Sequence, residues 1–167
     1  IAMLFDECPP HGASDSDLQA AVKRTLDWAA ICAEQPRAEG QLYFGIVQGA
    51  NAPELRKRCA EELVAMDFDG YAIGGVSVGE PEPEMMHAVE LTEPHLPADK
   101  ARYAMGLGTP AQLIELVARG VDMFDCVLPT RNGRSANAFT PTGQIRLRNS
   151  AFAADPQPID PDCDCPS

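Results

Sequence analysis

The chain has 167 residues, 45% hydrophobic and 23% charged, with a net charge of −12. That length suits one domain with a real core, and no apolar run reaches the ~18 residues that a membrane span needs. The acid excess excludes a protein that grips nucleic acid over its whole surface and leaves only a concentrated basic site. Six cysteines (Cys8, Cys32, Cys59, Cys126, Cys163, Cys165) lack regular disulfide spacing, and no basic, apolar signal segment opens the sequence. Together these predict a reducing, cytoplasmic compartment.

Ala2–Phe5 predicts a strand that begins with no lead-in and no initiating Met. A helix is expected around Asp15–Glu34, capped by Ser14 or Ser16, then a strand at Leu42–Val47. Asn51 and Pro53 signal the start of a helix running to about Met66. Tyr71–Ile73 predicts a strand before a helix around Glu82–Leu91. Arg102–Met105 predicts another, before a helix from Pro110 to Arg119 opened by Thr109 and closed by Gly120. Val121–Val127 follows as an apolar run suited to a strand buried on both faces and ended by Pro129. Five strands separated by four helices predict βαβ units and a parallel sheet. Beyond Pro129 the pattern changes: Ala136–Thr140 and Gln144–Leu147 read as a hairpin, and Asp155–Ser167 as Pro- and Asp-rich loop. Cys163-Asp164-Cys165 reads as half of a metal site, so both ends look interior to a longer chain.

Polar or glycine residues follow each predicted strand: Asp6-Glu7-Cys8, Gln48-Gly49, Gly74-Gly75, Gly106 and Asp125. In a parallel (β/α)8 barrel, residues at these strand ends line the active site. A doubly wound open sheet would use the same ends, so the pattern favours the barrel without excluding the alternative. The segment GVDMFDCVLPTRNGR puts Asp125 at the end of an apolar run with Arg131 and Arg134 just beyond. That suits a nucleophile beside a phosphate clamp, and equally an Asp paired locally with an Arg.

Four segments in order carry a resemblance: FDEC at Phe5–Cys8, FGIVQG at Phe44–Gly49, YAIGGVSVGE at Tyr71–Glu80 and MFDCVLPTRNGR at Met123–Arg134. With the terminal CxC they resemble the tRNA-guanine transglycosylases, or queuine tRNA-ribosyltransferases, over nearly the whole chain. The resemblance implies an α/β fold, part of a (β/α)8 barrel with about five parallel strands in residues 1–135. Residues 136–167 would be a hairpin and the start of a zinc-binding subdomain. The implied activity exchanges guanine at the wobble position of a tRNA anticodon loop for the 7-deazaguanine preQ1, by covalent double displacement, in queuosine biosynthesis.

By the same resemblance, Asp125 matches the nucleophile that attacks the ribose C1′, and Asp6 the carboxylate that holds the base's Watson–Crick edge. Gln48 and the Gly74-Gly75 backbone match groups that meet the base's carbonyl, and Met105 a side chain packed on its face. Val76 matches a backbone carbonyl that recognises an aminomethyl group, with Glu80 supporting that loop. Cys8 and Val78 match bacterial-type enzymes that take preQ1 rather than queuine. Arg131 and Arg134 match tRNA contacts, and Cys163 and Cys165 match the first two ligands of a structural zinc site that continues with a Cys and a His. The intact protein would be a homodimer. The family's earlier barrel strands, its DSGGFQ-like segment with a second catalytic aspartate, and most of its zinc subdomain lie outside this sequence. A non-catalytic accessory subunit and an archaeal-type enzyme acting at another tRNA position are the alternatives.

Overall fold

A computed structural model describes residues 1–162. The chain divides into two compact units, Ile1–Cys126 and Val127–Ser167. In the first, strands β1 (Ala2–Met3), β2 (Tyr43–Val47), β3 (Gly70–Ile73), β4 (Ala101–Ala104) and β5 (Met123–Phe124) alternate with helices α1 (Asp15–Ala33), α2 (Pro53–Ala65), α3 (Glu82–Thr92) and α4 (Pro110–Ala118). All five strands are parallel and lie in the order β1-β2-β3-β4-β5, curled as half of a barrel. A doubly wound sheet reverses its strand order at a switch point. Here every neighbour in space is the neighbour in sequence, which is the winding of a (β/α) barrel.

The helices start where local chemistry dictates. Ser14, not Ser16, caps α1: its Oγ accepts from Asp17 N at 3.2 Å. The helix then buries Leu18, Ala21, Val22, Thr25, Leu26 and Ala29, the i, i+3, i+4 stripe of a one-faced helix. Thr109 caps α4 in a capping box with Gln112, and Gly120 at φ +85 leaves that helix through the left-handed region. The second helix starts at Pro53, as the Asn51 and Pro53 signals indicate, although Asn51 itself does not cap it. Ala52 occupies the cap of α2 with no side-chain bond, Pro53 needs no donor in the first turn, and Asn51 Nδ2 donates instead to Glu84 Oε2 at 3.4 Å.

Two predicted strands are shorter than their apolar runs. β1 ends at Met3, leaving Phe5 74% exposed. The Val121–Val127 run yields only Met123–Phe124. Val121 N donates to Leu116 O at the end of α4, so it belongs to the turn, and Val127, 57% exposed, already caps the next helix. That helix, α5 (Leu128–Arg134), falls in a segment for which the sequence pattern predicts no element. Pro129 does end the strand region, but it does so in the first turn of a helix, where a missing N–H costs nothing. In the second unit α5 precedes β6 (Asn137–Thr140) and β7 (Gly143–Arg146), the expected antiparallel hairpin, with Thr140 opposite Gly143.

The core of the first unit lies between the sheet and α1 to α3, around Val22, Val47, Leu63, Phe68, Ile73 and Val89. Gly70 has a packing reason: a Cβ there would lie 2.3 Å from Phe44 Cζ, so glycine lets the ring lie on the neighbouring strand. Among the described residues no helix is long and apolar enough to cross a membrane.

Candidate active site at the strand C-termini

Parallel register decides what gathers at one edge of the sheet. Val47 pairs with Ile73, Ile73 with Ala104, and Ala104 with Phe124. The next residues along these strands, Gln48, Gly74, Met105 and Asp125, therefore share one end of the half-barrel. Asp6, three residues past the end of β1, joins them through a hydrogen bond donated by Gln48 Nε2 to Asp6 Oδ2 at 2.6 Å.

Gln48 is 1% exposed, and its backbone N–H donates to the buried Cys59 Sγ at 3.3 Å. Burial pushes the Cys59 thiol up to about 11, so it stays protonated at neutral pH. Gly74 and Gly75 pass directly beside the Gln48 carboxamide. A Cβ on Gly74 would sit 2.5 Å from Gln48 Nε2, and one on Gly75 2.8 Å from Gln48 Oε1. Gly75 also has φ +64, a conformation that glycine adopts without strain.

The loop after β3 is held by Glu80, whose carboxylate accepts from Ser77 N at 2.5 Å and Val78 N at 2.8 Å. Val76 is buried in the core. Ser77 Oγ donates to Gly106 O at 3.4 Å and links this loop to the one after β4. A cavity of about 260 Å³ lies beside the loop, lined by Gln48, Gly75, Val78 and Glu80 with Pro10 and Asn51. Asp6, Cys8, Met105 and Asp125 lie outside its lining. Cys8 is exposed and Met105 half-buried.

Asp125 is exposed at the end of β5. Its Oδ1 accepts from Tyr103 Oη at 2.6 Å and from Gly106 N at 2.9 Å. The Tyr103 hydroxyl first, and the Gly106 N–H second, hold the carboxyl below its ordinary range, so it is ionised at neutral pH. Tyr103 is pushed up to about 12 by burial and by donating to that carboxylate, and remains a donor. An oriented, ionised carboxylate at a strand C-terminus can act as a nucleophile or stabilise a cationic centre. Replacing Tyr103 with Phe is expected to raise the Asp125 pKa and move the acid limb of the pH–rate profile to higher pH. A roughly 10-fold loss of kcat at neutral pH should accompany it, as a charge-assisted bond is lost. An unchanged acid limb would show that Tyr103 does not govern this carboxyl.

Tyr103 and Arg56 carried no sequence motif, yet both touch the site. Tyr103 became visible only through its register opposite Met123. Arg56 left a weak sign, a cation on the buried stripe of α2 with Cys59, Ala60 and Leu63. Arg131 and Arg134 are exposed on the second half of α5, in the second unit. Cys163 and Cys165 lie outside the described residues. Among those described, no group of three or more His, Cys, Asp or Glu is arranged to hold a metal ion.

The profile of the queuine tRNA-ribosyltransferase family matches residues 1–167. A queuine tRNA-ribosyltransferase of Moorella thermoacetica is 52% identical over 165 residues, covering 99% of this chain and 44% of the relative. Those of Geobacillus kaustophilus and Desulforamulus reducens are 49% and 51% identical over 166 and 165 residues, again with 99% of this chain covered and 44% and 45% of theirs. The chain thus spans less than half the length of the curated relatives it matches. Its sequential half-barrel, its strand-end site and identity of about half over nearly every residue agree: the chain belongs to the queuine tRNA-ribosyltransferase family.

Proposed function

We propose that the protein containing this chain exchanges guanine at the tRNA wobble position for preQ1 through a covalent aspartyl-ribosyl intermediate. The observation that carries this reading is Asp125, ionised and oriented by Tyr103 and Gly106 at the barrel edge in a chain of this family. One Asp125 carboxylate oxygen attacks the ribose C1′ as the bond from C1′ to guanine N9 breaks, and the electron pair leaves with the base, which takes up a proton. N9 of the incoming base then attacks C1′, loses its proton and expels Asp125. One glycosidic bond replaces another, so no nucleotide hydrolysis is required.

Asp6 would accept from the base's ring N–H and exocyclic amine, two adjacent donors that suit one carboxylate. Gln48 Nε2 and the Gly75 N–H would donate to the base carbonyl, and Met105 would pack on the ring face. The Val76 carbonyl would accept from the aminomethyl group of preQ1 on a loop that Glu80 braces, with Cys8 and Val78 restricting the pocket to the smaller base. Incubating the intact protein with unmodified tRNA and labelled guanine, preQ1 or queuine tests this. Incorporation of guanine and preQ1 but not queuine is expected, and incorporation of none would remove the proposal.

Arg131 and Arg134 would contact tRNA through phosphates or base edges. Arg131→Ala and Arg134→Ala should each weaken tRNA binding and reduce the slope of log affinity against log salt by about one. Titrations over a salt series check this, and superimposable lines would make both residues ordinary surface charges. A structural zinc ion, cytoplasmic location and a homodimer complete the reading. Cys163 and Cys165 supply two thiolates where a closed tetrahedral site takes four ligands. The residues present therefore do not make that site by themselves, and no step depends on it.

A further inference from the structure

Arg56 is completely buried, and among the described residues no carboxylate pairs with it. A buried guanidinium is costly unless its donors are used. Three backbone carbonyls use them: Nη1 donates to Val47 O at 3.0 Å and to Gly74 O at 2.7 Å, and Nε donates to Ala50 O at 2.7 Å. Val47 and Gly74 immediately precede Gln48 and Gly75, so one planar cation ties together the strand ends that carry both.

Nη2 has no protein acceptor, and neither does Gln48 Oε1 have a donor, although both are buried. A Cβ on Gly75 would lie 3.2 Å from Nη2 and 2.8 Å from Oε1, so the two orphan atoms flank the same glycine. The carboxamide cannot be reversed at no cost. Its other orientation would set its oxygen against Asp6 Oδ2 at the 2.6 Å now bridged by Nε2, two acceptors face to face.

We propose that Arg56 is a positioning residue for base recognition: by binding the Val47 and Gly74 carbonyls its guanidinium fixes the spacing of Gln48 and Gly75. Both N–H donors then aim at the oxo group of the bound purine-like base. This rests on the base-exchange reading above. A merely structural arginine would affect every base alike, whereas this one discriminates by the atom at the base's 6-position.

The test uses the intact protein and two bases, guanine and 6-thioguanine, which keeps the ring N–H and the amine but offers sulfur, a weaker acceptor. Competition in the exchange assay gives the affinity ratio. Wild type should prefer guanine. Arg56→Met should weaken guanine by ~10-fold, the loss of one organised hydrogen bond, and bring the ratio towards unity, with KM for tRNA unchanged. If Arg56→Met does not fold, Arg56→Lys serves, since a point cation keeps the charge but cannot span three carbonyls. It should shift the ratio in the same direction by a smaller factor. A parallel loss for both bases, or no change in the ratio for a folded variant, overturns the role of Arg56 while exchange by wild type keeps the function standing. Absence of exchange in wild type overturns the function itself, and this role with it.

Discussion

Asp125→Asn in the intact protein should lower base exchange by ~10³-fold or more, the scale on which enzymes lose rate when a nucleophile is removed. Asparagine is nearly isosteric, and its side-chain oxygen can still accept from Tyr103 Oη and Gly106 N, the two donors that orient Asp125. The strand end should therefore keep its shape, and tRNA affinity should stay within about 2-fold, because an uncharged amide removes no phosphate contact. What the variant loses is the ability to form an ester with the ribose. A covalent protein–RNA adduct should be trapped on a denaturing gel with wild type and be absent with the variant. Near-normal turnover by Asp125→Asn, or no adduct from wild type, would take the nucleophile's role away from Asp125.

The second large effect is expected at a residue with no side chain. Gly74→Ala should destabilise the protein by about 1–3 kcal/mol, the range for forcing extra atoms into a packed site. The new methyl group would lie 2.5 Å from Gln48 Nε2, 2.6 Å from Ile46 Cγ2 and 3.1 Å from Val47 O. Retreat is blocked, because Gly74 N donates to Val47 O at 2.9 Å and Gly74 O accepts from Arg56. Gln48 must then swing away from Asp6, so exchange should fall with stability. Gly79→Ala is the informative contrast: φ is +109 there but nothing lies within 4 Å, so only backbone strain opposes it. Denaturant midpoints for the two variants check the prediction. A Gly74→Ala midpoint equal to that of wild type would mean that the strand end yields more easily than its contacts indicate.

Both expectations concern strand ends, and these were the most legible part of the chain. Asp6, Gln48, Gly74 and Asp125 each follow an apolar run, and a regular βαβ alternation requires such positions to share one edge whatever the side chains do. The second unit was less legible. Val127 and Leu128 continue the apolar character of β5, and nothing local says that the strand has stopped at Phe124 and that Pro129 now opens α5. Asn51 likewise carries the composition of a helix cap, but Glu84, 33 residues later, takes its amide.

The sequence by itself determined the alternation of elements, the parallel sheet, the strand-end positions of the candidate site and the family, because each depends on chain order and short-range pattern. Only the tertiary structure decided between a sequentially wound half-barrel and a doubly wound sheet, since the order of strands in space is not written in their periodicity. It also decided which groups tune the site. Tyr103 reaches Asp125 across 22 residues, and Arg56 reaches Gly74 across 18. Such pairs are set by register and by the burial of a cation among carbonyls, and neither leaves a local pattern to read.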